Sequence, residues 1–147
     1  MKEERQIQIQ FRLADVEEVQ FATLTDVWPE GEMQVTNQLQ FGAETDKRLV
    51  RCSVHFEYKK NDITQLLLTV QAVFAFARES WSTMYQLEGD EWVLPAGLLQ
   101  HIADITIGAA RGILAVRSAD KGLPRVILPL VAVSQVVKNN IRFPRKQ

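Results

Sequence analysis

The chain has 147 residues, 46% of them hydrophobic and 24% charged, which fits one globular domain and excludes a disordered or collagen-like chain. Its 17 Lys and Arg stand against 18 Asp and Glu for a net charge of −1, so no basic field selects nucleic acid and no acidic block selects a basic partner. A lone cysteine, Cys52, allows no internal disulfide, and the N-terminal MKEERQIQIQ lacks the apolar core of a signal peptide; both point to the cytoplasm.

The chain opens with a period of two. Ile7, Ile9, Phe11 and Leu13 are apolar, while Gln6, Gln8, Gln10 and Arg12 are polar, which predicts a half-buried strand. The phase breaks near Ala14–Val16 and resumes at Val19, Phe21 and Leu24, the mark of a bulge. Trp28-Pro29-Glu30-Gly31 is a break. Met33, Val35, Leu39 and Phe41 alternate with glutamines and Thr36 in a second strand. After the polar turn Glu44-Thr45-Asp46-Lys47, Val50, Cys52, Val54, Phe56 and Tyr58 alternate with Arg51, Ser53, His55 and Glu57. Lys59-Lys60-Asn61-Asp62 is a charged turn. Turns this short predict an antiparallel meander.

From Leu66 to Ala77 both parities are apolar. A short buried helix fits this run too, but its Val and Phe content and the preceding strands favour a strand covered on both faces. It is too short for a roughly 20-residue membrane helix. Residues 81–91 read as irregular, with Gly89-Asp90 as a loop tip. Leu94-Pro95 opens a helical period. Leu98, Ile102, Ile105, Ala109, Ile113 and Val116 then fall on one stripe to about Val116, and Asp120-Lys121-Gly122-Leu123-Pro124 closes the segment. Val126–Leu130 reads as extended. A shorter helix follows from Val133 to Asn139, starting near Ser134, and the basic tail Arg142–Gln147 reads as frayed. The fold class expected is α+β: a four-stranded antiparallel sheet over about residues 5–80, then a helical part over about 95–140, in one domain of 1–147.

One helix covers one face of a sheet. The second face of the fourth strand would expose Leu67, Val73 and Ala75, a patch that monomers rarely leave open. The helix also carries Gly97, Gly108, Ala110 and Gly112 off its apolar stripe. Repeated glycines in a helix cost about 1 kcal/mol each against Ala and imply the close approach of another backbone. A homo-oligomer is therefore expected.

Catalytic chemistry has little support. Cys52 and His55 have opposite strand parity, which rules out a nucleophilic dyad and leaves Cys52 in the core. His101, Asp104 and Arg111 share one flank of the long helix; they read either as an acid–base or anion site or as a polar seam between helices. No zinc-like ligand spacing and no phosphate-binding loop is present in the sequence, since Gly108-Ala109-Ala110-Arg111-Gly112 is internal to a helix and lacks the P-loop lysine. Trp28, Trp81, Tyr85 and Trp92 fall in loop-like segments near Phe74 and Phe76. They read either as loop packing or as the walls of an apolar groove for an extended peptide.

The order of elements resembles the SecB-like family of bacterial export chaperones and their divergent relatives. The resemblance rests on a sheet followed by Leu94-Pro95, a long helix, Arg111-Gly112-Ile113-Leu114, and Ile127-Leu128-Pro129 before a short helix, over about residues 5–140. It implies a dimer of dimers with the long helices between the dimers, and an interface at Gly108, Ala109, Ala110, Arg111 and Gly112. It implies nucleotide-independent, cofactor-free and non-enzymatic binding of unfolded or partly folded client polypeptides. The groove would lie at Phe74, Phe76, Trp81, Tyr85 and Trp92. Export members are strongly acidic, which helps them dock on the translocation motor. A net charge of −1 and a longer stretch between Arg111-Gly112 and Ile127-Leu128-Pro129 depart from that pattern. They point to a divergent member whose client is a specific partner, such as a toxin–antitoxin component.

Overall fold

Alternating apolar residues set the four long strands of the computed structural model, which describes residues 10–84, 86–89, 91–124 and 126–144. The strands are β1 (Phe11–Thr23), β2 (Gln34–Glu44), β3 (Leu49–Lys60) and β4 (Ile63–Phe76). Ile7 and Ile9 lie outside the described residues. The sheet is antiparallel throughout, in the order β1-β4-β3-β2. The meander runs from β2 to β4, and β1 pairs with β4 instead of β2, which makes a Greek key. The reason is the connection between β1 and β2. It spans residues 24–33, holds the Trp28-Pro29-Glu30-Gly31 break, and is too long and irregular for a hairpin.

Register follows the sequence closely. The pairing of β1 with β4 shifts between Leu13 and Asp15 and again between Glu18 and Gln20, where the alternation slips. The β3–β4 hairpin turns on Asn61 and Asp62, with φ of 51° and 64°. Two left-handed residues give the turn whose twist matches the strands, and Asn and Asp tolerate that region best after glycine. The β2–β3 turn ends on Arg48 at φ 54°.

The inner face of the sheet is the core. Val50, Cys52, Val54, Phe56 and Tyr58 of β3 and Leu66, Leu68, Val70, Ala72, Phe74 and Phe76 of β4 are all buried. The opposite parity of β4 is half-exposed. There Thr69 Oγ1 lies 2.6 Å from His55 Nδ1, and Ser53 Oγ donates to Gln71 Oε1 at 3.5 Å. Leu67, Val73 and Ala75 are interspersed with these polar residues and are half-exposed too.

The long helix α2 (Ala96–Asp120) packs on the inner face of its own sheet. Its buried side is Leu99, Ile102, Ala103, Thr106, Ile107, Ala110, Leu114 and Ser118. Of the stripe expected from the sequence, only Ile102 belongs to that side. Leu98, Ile105, Ala109 and Ile113 are half-exposed, and Val116 is exposed. The helix thus has two apolar faces, and periodicity alone picked the outer one. Stabilising contacts come from the distant chain. Ala96 N–H donates to Asn140 Oδ1 at 2.9 Å, and Gln100 Nε2 donates to the Val137 carbonyl at 2.8 Å. At the other end Gly122 has φ 68°, and Leu123 N–H closes on the Ser118 carbonyl at 3.0 Å. This is a Schellman closure that only a residue free of Cβ strain makes cheaply.

Elements of only one or two periods escape sequence reading. The segment read as irregular overlaps a helix, α1 (Arg78–Met84), and two strands, β5 (Gln86–Glu88) and β6 (Glu91–Leu94). Of the tail read as frayed, Arg142–Pro144 belong to β7 (Ile141–Pro144), which pairs with β6 so that Trp92 stands opposite Phe143, and residues 145–147 lie outside the described residues. The second helix is a single turn, α3 (Val133–Val136). Before it, Val126 and Leu128 are buried while Ile127 between them is exposed, an extended piece laid over the core as expected.

Candidate functional site

Where β1 begins and β4 ends, strand parity gathers an aromatic cluster. Phe11 stacks on Phe76 with ring centroids 5.1 Å apart and meets Phe74 edge-on at 6.0 Å. Trp81, the fourth residue of α1, lies 5.5 Å from Phe76. Backbone bonds lock this corner. Ala77 N–H donates to the Gln10 carbonyl at 3.0 Å, and Gln10 N–H donates to Ser80 Oγ at 2.7 Å. These fix the start of β1 to the start of α1.

Two concavities open beside the cluster. One, of about 600 Å³, lies over Phe11, Phe76 and the β2–β3 turn. The other, of about 490 Å³, has Trp81 and Trp92 as its aromatic walls. Arg48 borders both. Its Nε donates to the Phe76 carbonyl at 3.2 Å, and its own carbonyl accepts from Phe76 N–H at 3.0 Å.

The groove residues read from the sequence divide accordingly. Trp92 is half-buried and Trp81 nearly buried, and both line the second concavity. Phe76 lines the first while remaining largely buried. Phe74 does not belong to a groove. It has the inward parity of β4 and no exposed surface, so it supports Phe11 from beneath. Tyr85 lies outside the described residues. Sequence reasoning passed over Phe11 as a wall and Arg48 altogether. The alternation of β1 carries the signal for Phe11; nothing in the sequence marks an arginine at a left-handed turn position.

On α2, Gly108, Arg111 and Gly112 are exposed and Ala109 is half-buried. Ala110 is fully buried against the sheet, which removes it from any surface a partner could touch. A methyl group built on Gly97, Gly108 or Gly112 would meet nothing within 4 Å. Within one chain, therefore, no backbone among the described residues approaches these glycines.

His101 and Arg111 of the polar trio lie at different places on the helix, and among the described residues no hydrogen bond or ion pair is seen between either of them and Asp104. His101 is edge-on to Phe11 at 5.8 Å. Arg111 lies ten residues further along, about 15 Å at 1.5 Å per residue. There it borders a different hollow, of about 460 Å³, with Ile127 and Leu128, where burial pushes the Tyr58 hydroxyl up and the Arg111 charge only partly opposes it. Cys52 is fully buried and His55 half-exposed on the opposite face. Burial pushes the Cys52 thiol up to about 11, against a weaker opposing hydrogen bond with Thr106. It is a protonated core group at neutral pH, not a nucleophile. Among the described residues no three of His, Cys, Asp and Glu gather as metal ligands, and no helix is long and apolar enough to cross a membrane.

No family model matches the sequence, and no curated protein matches it. The fold does match a solved structure, that of the Mycobacterium tuberculosis SecB-like chaperone Rv1957 in complex with a ChAD peptide from the antitoxin HigA1 (Rv1956). The TM-score is 0.51 at 15% identity, over 83% of this chain and 88% of that one. The α+β arrangement of a four-stranded sheet, a long helix and a short C-terminal helix is thus shared with a SecB-like chaperone.

Proposed function

We propose that this protein binds apolar segments of other polypeptides at the aromatic end of its sheet, without nucleotide and without chemistry on the client. The observation that carries the reading is the pair of concavities at the Phe11–Phe76–Trp81 ring cluster, where Phe76 and Trp81 belong to the core while half-buried Phe11 borders one hollow and half-buried Trp92 the other. Apolar surface buried there by a client contributes about 25 cal/mol per Å², so retention of an unfolded chain needs no energy source. The likeness to a SecB-like chaperone solved with a bound peptide supports the same use of the fold. With near-balanced charge, the client is a dedicated partner protein, as an antitoxin segment is for that chaperone, and not cargo shared with an export motor.

The assembly belongs to the same proposal. The outward side of α2 carries Leu98, Ile105, Ala109 and Val116 and the open glycines 108 and 112, beside the exposed His101, Asp104 and Arg111. Burying it against a second copy gives the dimer of dimers that the family resemblance implies.

The test is suppression of aggregation of a thermally unfolded model protein. Wild type at severalfold excess over the client holds light scattering down, and Trp92→Ala, which keeps the buried core, does so less well. If wild type leaves aggregation untouched at that excess, the reading is wrong.

A further inference from the structure

The guanidinium of Arg48, we infer, is a carboxylate anchor, and the segments bound at this end of the sheet are acidic as well as apolar. The inference deepens the polypeptide-binding reading and rests on it.

Arg48 occupies a turn position at φ 54°, a backbone region where glycine or asparagine is at home and a long side chain is not. Glycine would close the same turn with less strain, so the turn itself does not explain an arginine. Its placement does. One edge of the guanidinium is fixed by the bond from Nε to the Phe76 carbonyl, and the Arg48 backbone is held by Phe76 N–H. No hydrogen bond or salt bridge to the described residues occupies the two Nη groups. A guanidinium pinned by Nε and offering both Nη groups is preorganised for the two-pronged geometry that carboxylates accept.

The surroundings have the same sign. Arg12 and Lys47 join Arg48 around the first concavity, and Arg78 joins it around the second. Asp46 is the one acid among the described lining residues. Nearby Glu44 is engaged by Arg51 and, at 3.8 Å, by Lys47. In a chain of net charge −1, this is a local concentration of cations against aromatic walls. An extended peptide puts residues i and i+2 on the same side about 7 Å apart. It can thus set a carboxylate on Arg48 while an apolar neighbour rests against half-buried Phe11 or Trp92.

The experiment uses fluorescence anisotropy on the full chain with three labelled peptides of equal length. Each has the same central aromatic pair, flanked by Asp, by Asn or by Lys. The Asp peptide binds about tenfold tighter than the Asn peptide at low salt, as a charge-assisted two-pronged bond requires, and the Lys peptide binds weakest. In Arg48→Gly, which relieves the turn, the ratio of Asp to Asn affinity falls to near one while the thermal midpoint holds or rises. Arg48→Lys, which keeps charge but loses the fork, gives an intermediate ratio. Equal Asp and Asn affinities in wild type, or a ratio that survives Arg48→Gly, overturn the anchor and leave polypeptide binding standing. An oligo-dT strand that binds as tightly as the Asp peptide overturns the assignment to polypeptides. Failure of all three peptides to bind sinks both readings together.

Discussion

Glu18 of β1 and Arg117 in the last turn of α2, 99 residues apart in sequence, meet in a two-pronged ion pair. Arg117 Nε and Nη2 lie 2.8 Å from Glu18 Oε1 and Oε2 respectively. The pair ties the free edge strand of the Greek key to the end of the helix that covers the sheet. Its orientation is also favourable for the helix, whose C-terminal end prefers a cation. The hydrogen bond to Glu18 is the main reason the Arg117 guanidinium is held further above its ordinary value.

The pair is exposed, so its effect is small and sensitive to salt. Glu18→Gln and Arg117→Gln each lower the unfolding midpoint, and the double variant loses less than the sum of the two. In 1 M salt the coupling shrinks toward zero. A coupling that is independent of salt would mean that the two side chains act through packing.

Contacts of this kind also mark the limit of what the sequence discloses. The inward residues of β3, from Val50 to Tyr58, were legible because they alternate with polar residues in a period of two, whereas β4, apolar in both parities, was read as a strand only from its Val and Phe content and from the strands before it. The bulge in β1 was legible as a slip of phase. What failed was choice between equivalent surfaces and partners. The helix has two apolar sides, and the sequence does not say which one meets the sheet; Ala110 and Ala109 are indistinguishable by composition, yet one is buried and the other faces outward. Likewise, the placement of β1 beside β4 depends on a long connection whose path no local rule fixes. The strands β6 and β7 hold only four residues each, too few for a period to show. Of the site, the tryptophans were visible as aromatics in loops. Arg48 was not, because its role comes from a backbone angle and from a carbonyl 28 residues away.

The two faces of α2 separate folding from assembly. Leu114 is fully buried against the sheet, so Leu114→Ala costs about 2–5 kcal/mol in chemical denaturation through lost transfer energy and the cavity left behind. Val116 is 62% exposed in the single chain. Val116→Glu leaves the circular dichroism spectrum intact and shifts the species seen by light scattering toward smaller mass. If the mass of wild type is already that of one chain, the outward face has no second copy on it.

Alkaline pH probes the sheet–helix seam. Burial raises the Cys52 thiol from 9.0 to about 11 and the Tyr58 hydroxyl from 10.0 to about 12. Each group is neutral in the folded chain over a range where the unfolded chain has already lost the proton. The unfolded state therefore binds fewer protons there, and stability falls as pH rises. The contribution of Cys52 is complete below pH 9 and is lost by about pH 11; that of Tyr58 follows between pH 10 and about pH 12. Denaturation midpoints measured from pH 7 to 11 should stay flat to about 9 and then decline. Cys52→Ala removes the first part of that decline, and a midpoint curve identical to wild type would place the loss elsewhere.

Ser118 is the buried polar group of α2 that the fold leaves unserved. It is 2% exposed, and its Oγ has no hydrogen-bond partner among the described residues, whereas Thr106 on the same face bonds back to the Ile102 carbonyl at 2.8 Å. A buried hydroxyl without a partner costs about 1–3 kcal/mol in desolvation, and alanine is the better helix former. Ser118→Ala should then raise stability by about 1 kcal/mol, read as a higher denaturant midpoint at unchanged slope. The residue also borders the hollow formed with Arg111, Leu123 and Leu128, where a trapped water has room to reach it. A loss of stability in Ser118→Ala would show that such a water serves the hydroxyl. A gain would mark this position as a cost the chain carries at the junction between the helix and the extended segment laid over it.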